Sequence, residues 1–323
     1  MNPNNRKRLI IFLILTYSIS WAIWLISGVL FREGNFVYDS KWLFSQTGVF
    51  VPTITGIILI SLKSKRNIIK NISIIFLSFL IFIIGFIIIN HKPVSIKEFD
   101  STASISVFLL AVFIIVIIYR FKYFFFSTEE NKSNIKLEFK WVLLSIIIFP
   151  VLFLLSWLIV SSQGQGLNIS TLKNGLDEFI QILFVAFSMN LILGGSMGEE
   201  FGWRGFVLPL LLKKYNPTAA GIVLGIIWAF WHLPIDLTST IIPGPFAFIF
   251  RIIWVIPLSI IITWFFIKTN GSILIALLLH TSLNFLPDIG FANYQASILL
   301  MTFLLIIVAS IIAFKPEMRT EIK

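Results

Sequence analysis

The residues able to do chemistry lie in three short stretches of the second half of the chain. The first, Gly198-Glu199-Glu200-Phe201-Gly202-Trp203-Arg204, sets two adjacent carboxylates ahead of one guanidinium. Arg204 follows Glu200 by four residues, one helical turn, so the two side chains can meet. Glu199 then projects about 100° further round the helix. The spacing divides the pair into one carboxylate clamped by Arg204 and one left to work. The second stretch, Trp228-Ala229-Phe230-Trp231-His232-Leu233-Pro234, holds a histidine among aromatics. The third, His280-Thr281-Ser282-Leu283-Asn284, presents His280 and Asn284 on one helix face.

Each stretch alone has an ordinary explanation. Glu and Arg mark the ends of membrane helices, a single His is often a hydrogen-bonded core residue, and Asn can join helices. The conjunction is stronger. Buried polar groups need partners, and these six residues sit on three apolar segments with almost no other charge nearby, so they are expected to share one cavity.

A carboxylate beside two imidazoles can activate water. Glu199 would be the general base, and His232 and His280 could hold a divalent metal, zinc by preference. A zinc centre wants a third protein ligand; Glu200 could be it, but then it cannot also be fully committed to Arg204. A metal-free arrangement also fits. Glu199 and His232 would then orient and deprotonate water while His280 and Asn284 support an oxyanion. Cysteine is absent, which excludes thiolate catalysis and disulfides. No Gly-x-Ser-x-Gly, His-Glu-x-x-His or nucleotide-binding P-loop pattern occurs.

What must position these groups is a membrane bundle. Of 323 residues, 58% are hydrophobic and 12% charged, with a mean hydropathy of +0.96. A soluble domain carries about twice that charge. Apolar runs long enough to cross a bilayer fall near 9–30, 43–62, 71–90, 104–119, 141–160, 178–198, 218–235, 246–267, 271–287 and 296–314. The fold expected is all-α, a polytopic bundle of about ten spans. Strand-length alternation of the kind found in membrane barrels is missing. With an inside start, eighteen of the 25 Lys and Arg fall in inside segments and six outside, Arg204 being set apart. That asymmetry places both termini in the cytoplasm. The net charge of +10 is thereby explained by topology and anionic lipid, without nucleic acid.

A polar loop near 120–140 separates residues 1–140, four spans of unknown role, from 141–323, six spans that hold the chemistry. Gly194, Gly198 and Gly202 form a small-xxx-small series expected to pack a neighbouring helix. His91 falls in an outside loop. Counted from Phe179, Glu199 would lie about 30 Å along its helix, near the inside face. A cavity opening towards the cytoplasm is therefore expected.

Glu199-Glu200-x-x-x-Arg204, the aromatic-x-x-x-His ending at His232, and His280-x-x-x-Asn284 together resemble the CPBP family of intramembrane proteases. This family includes the type II CAAX prenyl endopeptidases and the bacterial Abi (bacteriocin self-immunity) proteins. The likeness covers roughly 178–290, with one departure. The family commonly has Phe four residues before the His, where this chain has Trp228. The resemblance implies an endopeptidase acting at or in the membrane on a peptide or membrane-protein substrate. Glu199 would be the base, Glu200 and Arg204 its companions, and His232, His280 and Asn284 would serve in water or metal binding and oxyanion support. Peptide processing or bacteriocin self-immunity are the implied roles, and the Ile-, Lys- and Asn-rich usage points to a bacterial plasma membrane. Two other readings remain open: a non-catalytic scaffold using the same cavity, and a proton-coupled transporter.

Overall fold

In the computed structural model, residues 1–30, 40–64, 138–163, 167–192, 195–238 and 244–321 are described. The spans expected at 71–90 and 104–119, His91, Gly194 and almost all of the polar loop lie outside them. By contact, Met1–Gly56 and Ile135–Lys323 form one unit and Ile57–Asn134 a second. The expected boundary at residue 140 would set the first helices apart from the second half, but Met1–Gly56 groups with it.

The helices are α1 (Pro3–Leu30), α2 (Ser40–Val49), α3 (Val51–Ser64), α4 (Phe139–Ser161) and α5 (Leu176–Ile192). The next, α6, begins as Ser196–Gly202, widens to a π turn over Trp203–Val207 and ends as Leu208–Leu212. Then come α7 (Pro217–Trp231), α8 (Leu233–Leu237), α9 (Gly244–Lys268), α10 (Ile273–Asn284), α11 (Tyr294–Ala313) and α12 (Pro316–Arg319). Among the described residues there is no named strand, only one bridge between Ile169 and Phe291. The protein is an all-α, polytopic helical bundle. Among the described residues, six helical segments are long and apolar enough to cross a membrane, and Pro217–Trp231 and Ile273–Ile289 are shorter apolar ones.

The helices bury their small and polar residues and present aliphatic ones outward. On α4, Ser145, Phe149, Phe153 and Ser156 are fully buried, whereas Leu143, Val151, Leu155 and Ile159 are exposed. That is the arrangement expected where the surroundings are as apolar as leucine. Some buried hydroxyls are satisfied within their own helix: Ser156 donates to the Leu152 carbonyl, Thr263 to Ser259 and Thr302 to Ile298. Glycines set the closest approaches. A Cβ on Gly225 would stand 2.9 Å from the Ile256 Cα and one on Gly221 3.1 Å from that of Ile260, so α7 lies hard against α9.

The run expected as one helix over 178–198 is two. α5 stops at Ile192, and α6 restarts after Gly195, whose φ of +106° is open to glycine but not to side chains with a Cβ.

Candidate active site

The restart at Gly195 puts Glu199 in the first turn of α6, where the helix dipole favours a carboxylate. The depth expected for Glu199 is thereby corrected. It lies thirteen residues before the helix end at Leu212, about 20 Å along the axis. His232 lies fifteen residues after Pro217, a similar height up α7, so the two are level. The reckoning from Phe179 no longer supports an opening at the cytoplasmic face.

α7 starts cleanly. Pro217 is in its first turn, and the Asn216 side chain accepts the Ala219 N–H at 2.9 Å. At its far end the helix tightens, so that the His232 N–H donates to the Ala229 carbonyl. The Trp228 carbonyl then accepts from His232 Nδ1 at 2.9 Å. This makes Nδ1 the donor, so that in the neutral ring Nε2 is the acceptor nitrogen.

Glu200 and Arg204 are both fully buried, and Arg204 Nη1 donates to Glu200 Oε1 at 2.9 Å. His280 Nδ1 donates to the same oxygen at 2.8 Å. Glu200 Oε2 and Arg204 Nε and Nη2 have no protein partner among the described residues. Glu199, 4% exposed, is held differently: its Oε2 accepts the indole N–H of Trp228. Its Oε1 faces Gly195, where an added Cβ would meet it at 2.7 Å and Asn284 Nδ2 at 3.6 Å. The six residues singled out by sequence thus gather around Trp228 and Gly195. The His280 ring stands edge-on to the Trp228 ring at 5.3 Å, and that of His232 lies 6.0 Å from it.

For zinc, the donor set is a poor fit. Each histidine donates from Nδ1, one to Glu200 and one to a backbone carbonyl, which leaves Nε2 as the nitrogen a metal would take, but two imidazoles fall one ligand short of a zinc centre. Among the described residues no three His, Asp or Glu side chains are grouped to hold an ion.

Three contributors are not among the six candidate site residues. Trp228 enters the sequence motifs only as the aromatic that opens the second stretch, yet it touches Glu199, both histidines and Arg204, whose guanidinium lies 4.3 Å over its ring. Asp236, one turn beyond His232, accepts from Arg251 Nε and Nη2 at 2.7–3.2 Å, fastening α8 to α9. Two opposite charges in so apolar a stretch were a usable signal. Finally, α1 walls the site: Trp21 donates to the Trp231 carbonyl at 2.9 Å, and the Trp24 ring lies 4.7 Å from that of Trp231. Nothing in the pattern of α1 marks this, since its aromatics also suit a lipid-facing helix.

Buried paired carboxylates, an arginine and two histidines thus meet on three adjoining helices of a helical membrane protein, a set of groups able to activate water. Residues 180–286 match the family described as type II CAAX prenyl endopeptidase, Rce1-like. The chain is also 26% identical over 200 residues to the CAAX prenyl protease 2 of Methanococcus maripaludis, covering 58% of this chain and 71% of the relative. Both likenesses are to CAAX prenyl proteases, and the family match spans α5 to α10, the helices that carry the site.

Proposed function

We propose that the protein hydrolyses peptide bonds at or within the membrane by a glutamate-activated water, without a bound metal. The observation that carries this reading is the unequal treatment of the two adjacent carboxylates. Glu200 is spent on Arg204 and His280. Glu199 keeps one oxygen turned towards Gly195 and Asn284. In the proposed reaction, Glu199 Oε1 takes a proton from water as its oxygen attacks the scissile carbonyl, and returns it to the leaving amine. His232 Nε2 orients the water. Asn284 Nδ2 and His280, held by Glu200, support the oxyanion.

The substrate is a peptide or membrane-protein segment entering from the bilayer side, and peptide processing or bacteriocin self-immunity is the setting proposed. The protein would reside in a bacterial plasma membrane with both termini in the cytoplasm. The test is a comparison of peptide termini by mass spectrometry in membranes expressing wild type or Glu199→Ala at equal levels, with and without chelator. Termini found only with wild type, and persisting under chelation, are expected. Identical peptide sets would overturn proteolysis, and loss under chelator would restore the zinc reading.

A further inference from the structure

Trp228 occupies the centre of the site without itself being able to exchange a proton near neutral pH. It is 2% exposed and makes three separate contacts with charged or titratable groups. Its indole N–H donates to Glu199 Oε2, its ring face carries the Arg204 guanidinium at 4.3 Å, and its edge-on neighbour is His280 at 5.3 Å. A purely packing role would be met by any large aromatic ring. The N–H would not, because phenylalanine has none.

We infer that Trp228 is a positioning residue for Glu199: its indole N–H fixes one carboxylate oxygen and so aims the other at the reacting water beside Gly195 and Asn284. Glutamate has three side-chain torsions, and α6 has only just restarted at Gly195, so the helix alone does not fix where the carboxylate points. A donor on Oε2 removes that freedom and leaves Oε1 as the proton-accepting atom. Misplacing a reacting group by even a small distance is costly to rate. The ring contact with Arg204 adds a second tie, since the same Arg204 holds Glu200. Both carboxylates are therefore oriented from one side chain, one directly and one through the guanidinium.

The inference rests on the hydrolytic reading above, and its test separates the two. Trp228→Phe keeps an aromatic face for Arg204 and the backbone carbonyl that His232 uses, and removes the N–H together with part of the indole. For the purified full chain in lipid nanodiscs, kcat should fall about ten- to a hundredfold, the cost of one hydrogen bond to a charged group. KM should stay at its wild-type value, and thermal unfolding should fall only by what truncating a buried ring costs. Wild-type kcat in the variant would overturn the inference. A second readout needs no turnover. The ultraviolet resonance Raman difference between wild type and Glu199→Ala should contain one indole N–H feature, and that feature should vanish when the pair is compared in a Trp228→Phe background. A featureless difference would overturn the inference even if proteolysis is found. Absence of any peptide hydrolysis by wild type would sink the hydrolytic reading, while the Raman arm still decides whether Trp228 holds Glu199.

Discussion

Glu200 Oε1 receives both the Arg204 Nη1 and the His280 Nδ1 protons in a site with no exposure for either Glu200 or Arg204. A buried pair of this kind adds little net stability relative to apolar residues, but removing one partner strands the other charge at a cost of about 3–5 kcal/mol. Arg204→Gln should therefore lower thermal stability in detergent steeply. Adding Glu200→Gln should recover most of the loss, while neither variant cleaves peptide. A double variant as unstable as the single one would show that Arg204 acts through packing on Trp228 instead of through charge. The Glu200–Arg204 pair was legible because four-residue spacing on a helix fixes which side chains can meet. The partner of His280 was not. Its spacing to Asn284 gives a shared face, but the Nδ1 proton goes to Glu200, eighty residues away, and only tertiary packing decides that.

α6 carries Glu199, Glu200 and Arg204, so its seat determines the site. It is seated through glycine. A Cβ on Gly198 would lie 2.7 Å from the Val49 carbonyl oxygen, and one on Gly202 2.5 Å from the backbone of Pro52. Thr53 adds a hydrogen bond to the Met197 carbonyl at 2.8 Å. The contact falls where α2 gives way to α3, just ahead of Pro52, whose missing N–H interrupts the helical ladder. Here the small-xxx-small spacing was readable for Gly198 and Gly202, although not which helix it packs against. Gly202→Val should force these backbones apart, at a cost of about 1–3 kcal/mol or more. Thermal unfolding and peptide cleavage should both drop. Unchanged unfolding would mean that α6 is held by its contacts with α10 alone. The break at Gly195 is the complementary case: glycine is an ambiguous signal in an apolar helix, tolerated within it as readily as it ends it.

Contacts between distant segments sort the helix ends into two sets. At one end Thr218 donates to the Ala313 and Met318 carbonyls, Trp264 donates to Glu317, and the Trp141 ring meets that of Trp264 at 5.8 Å. At the other, Trp157 donates to the Ala292 carbonyl, Ser170 to that of Gly290, and Asn190 to Asp288. The first end collects Lys140, Lys214, Lys268, Lys315 and Arg319, while Lys173 and the paired Arg251 lie towards the second. This distribution follows the three-dimensional ends of the helices and not merely their order, so the break in the expected sixth span does not upset it. α5 packs beside the second end through Asn190, and α6 alone runs on to Lys213. Basic segments are retained in the cytoplasm, so the Lys214 end should face inward and the Lys173 end outward. The chain contains no cysteine, which makes a direct test clean. Lys173→Cys should react with a membrane-impermeant maleimide in intact cells, and Lys214→Cys, also exposed, only after permeabilisation. The reverse pattern would invert the bundle. It would place the site, about 20 Å from the Lys214 end along α6, close to the cytoplasmic surface instead of the outer one, and would require its substrate to arrive from that side.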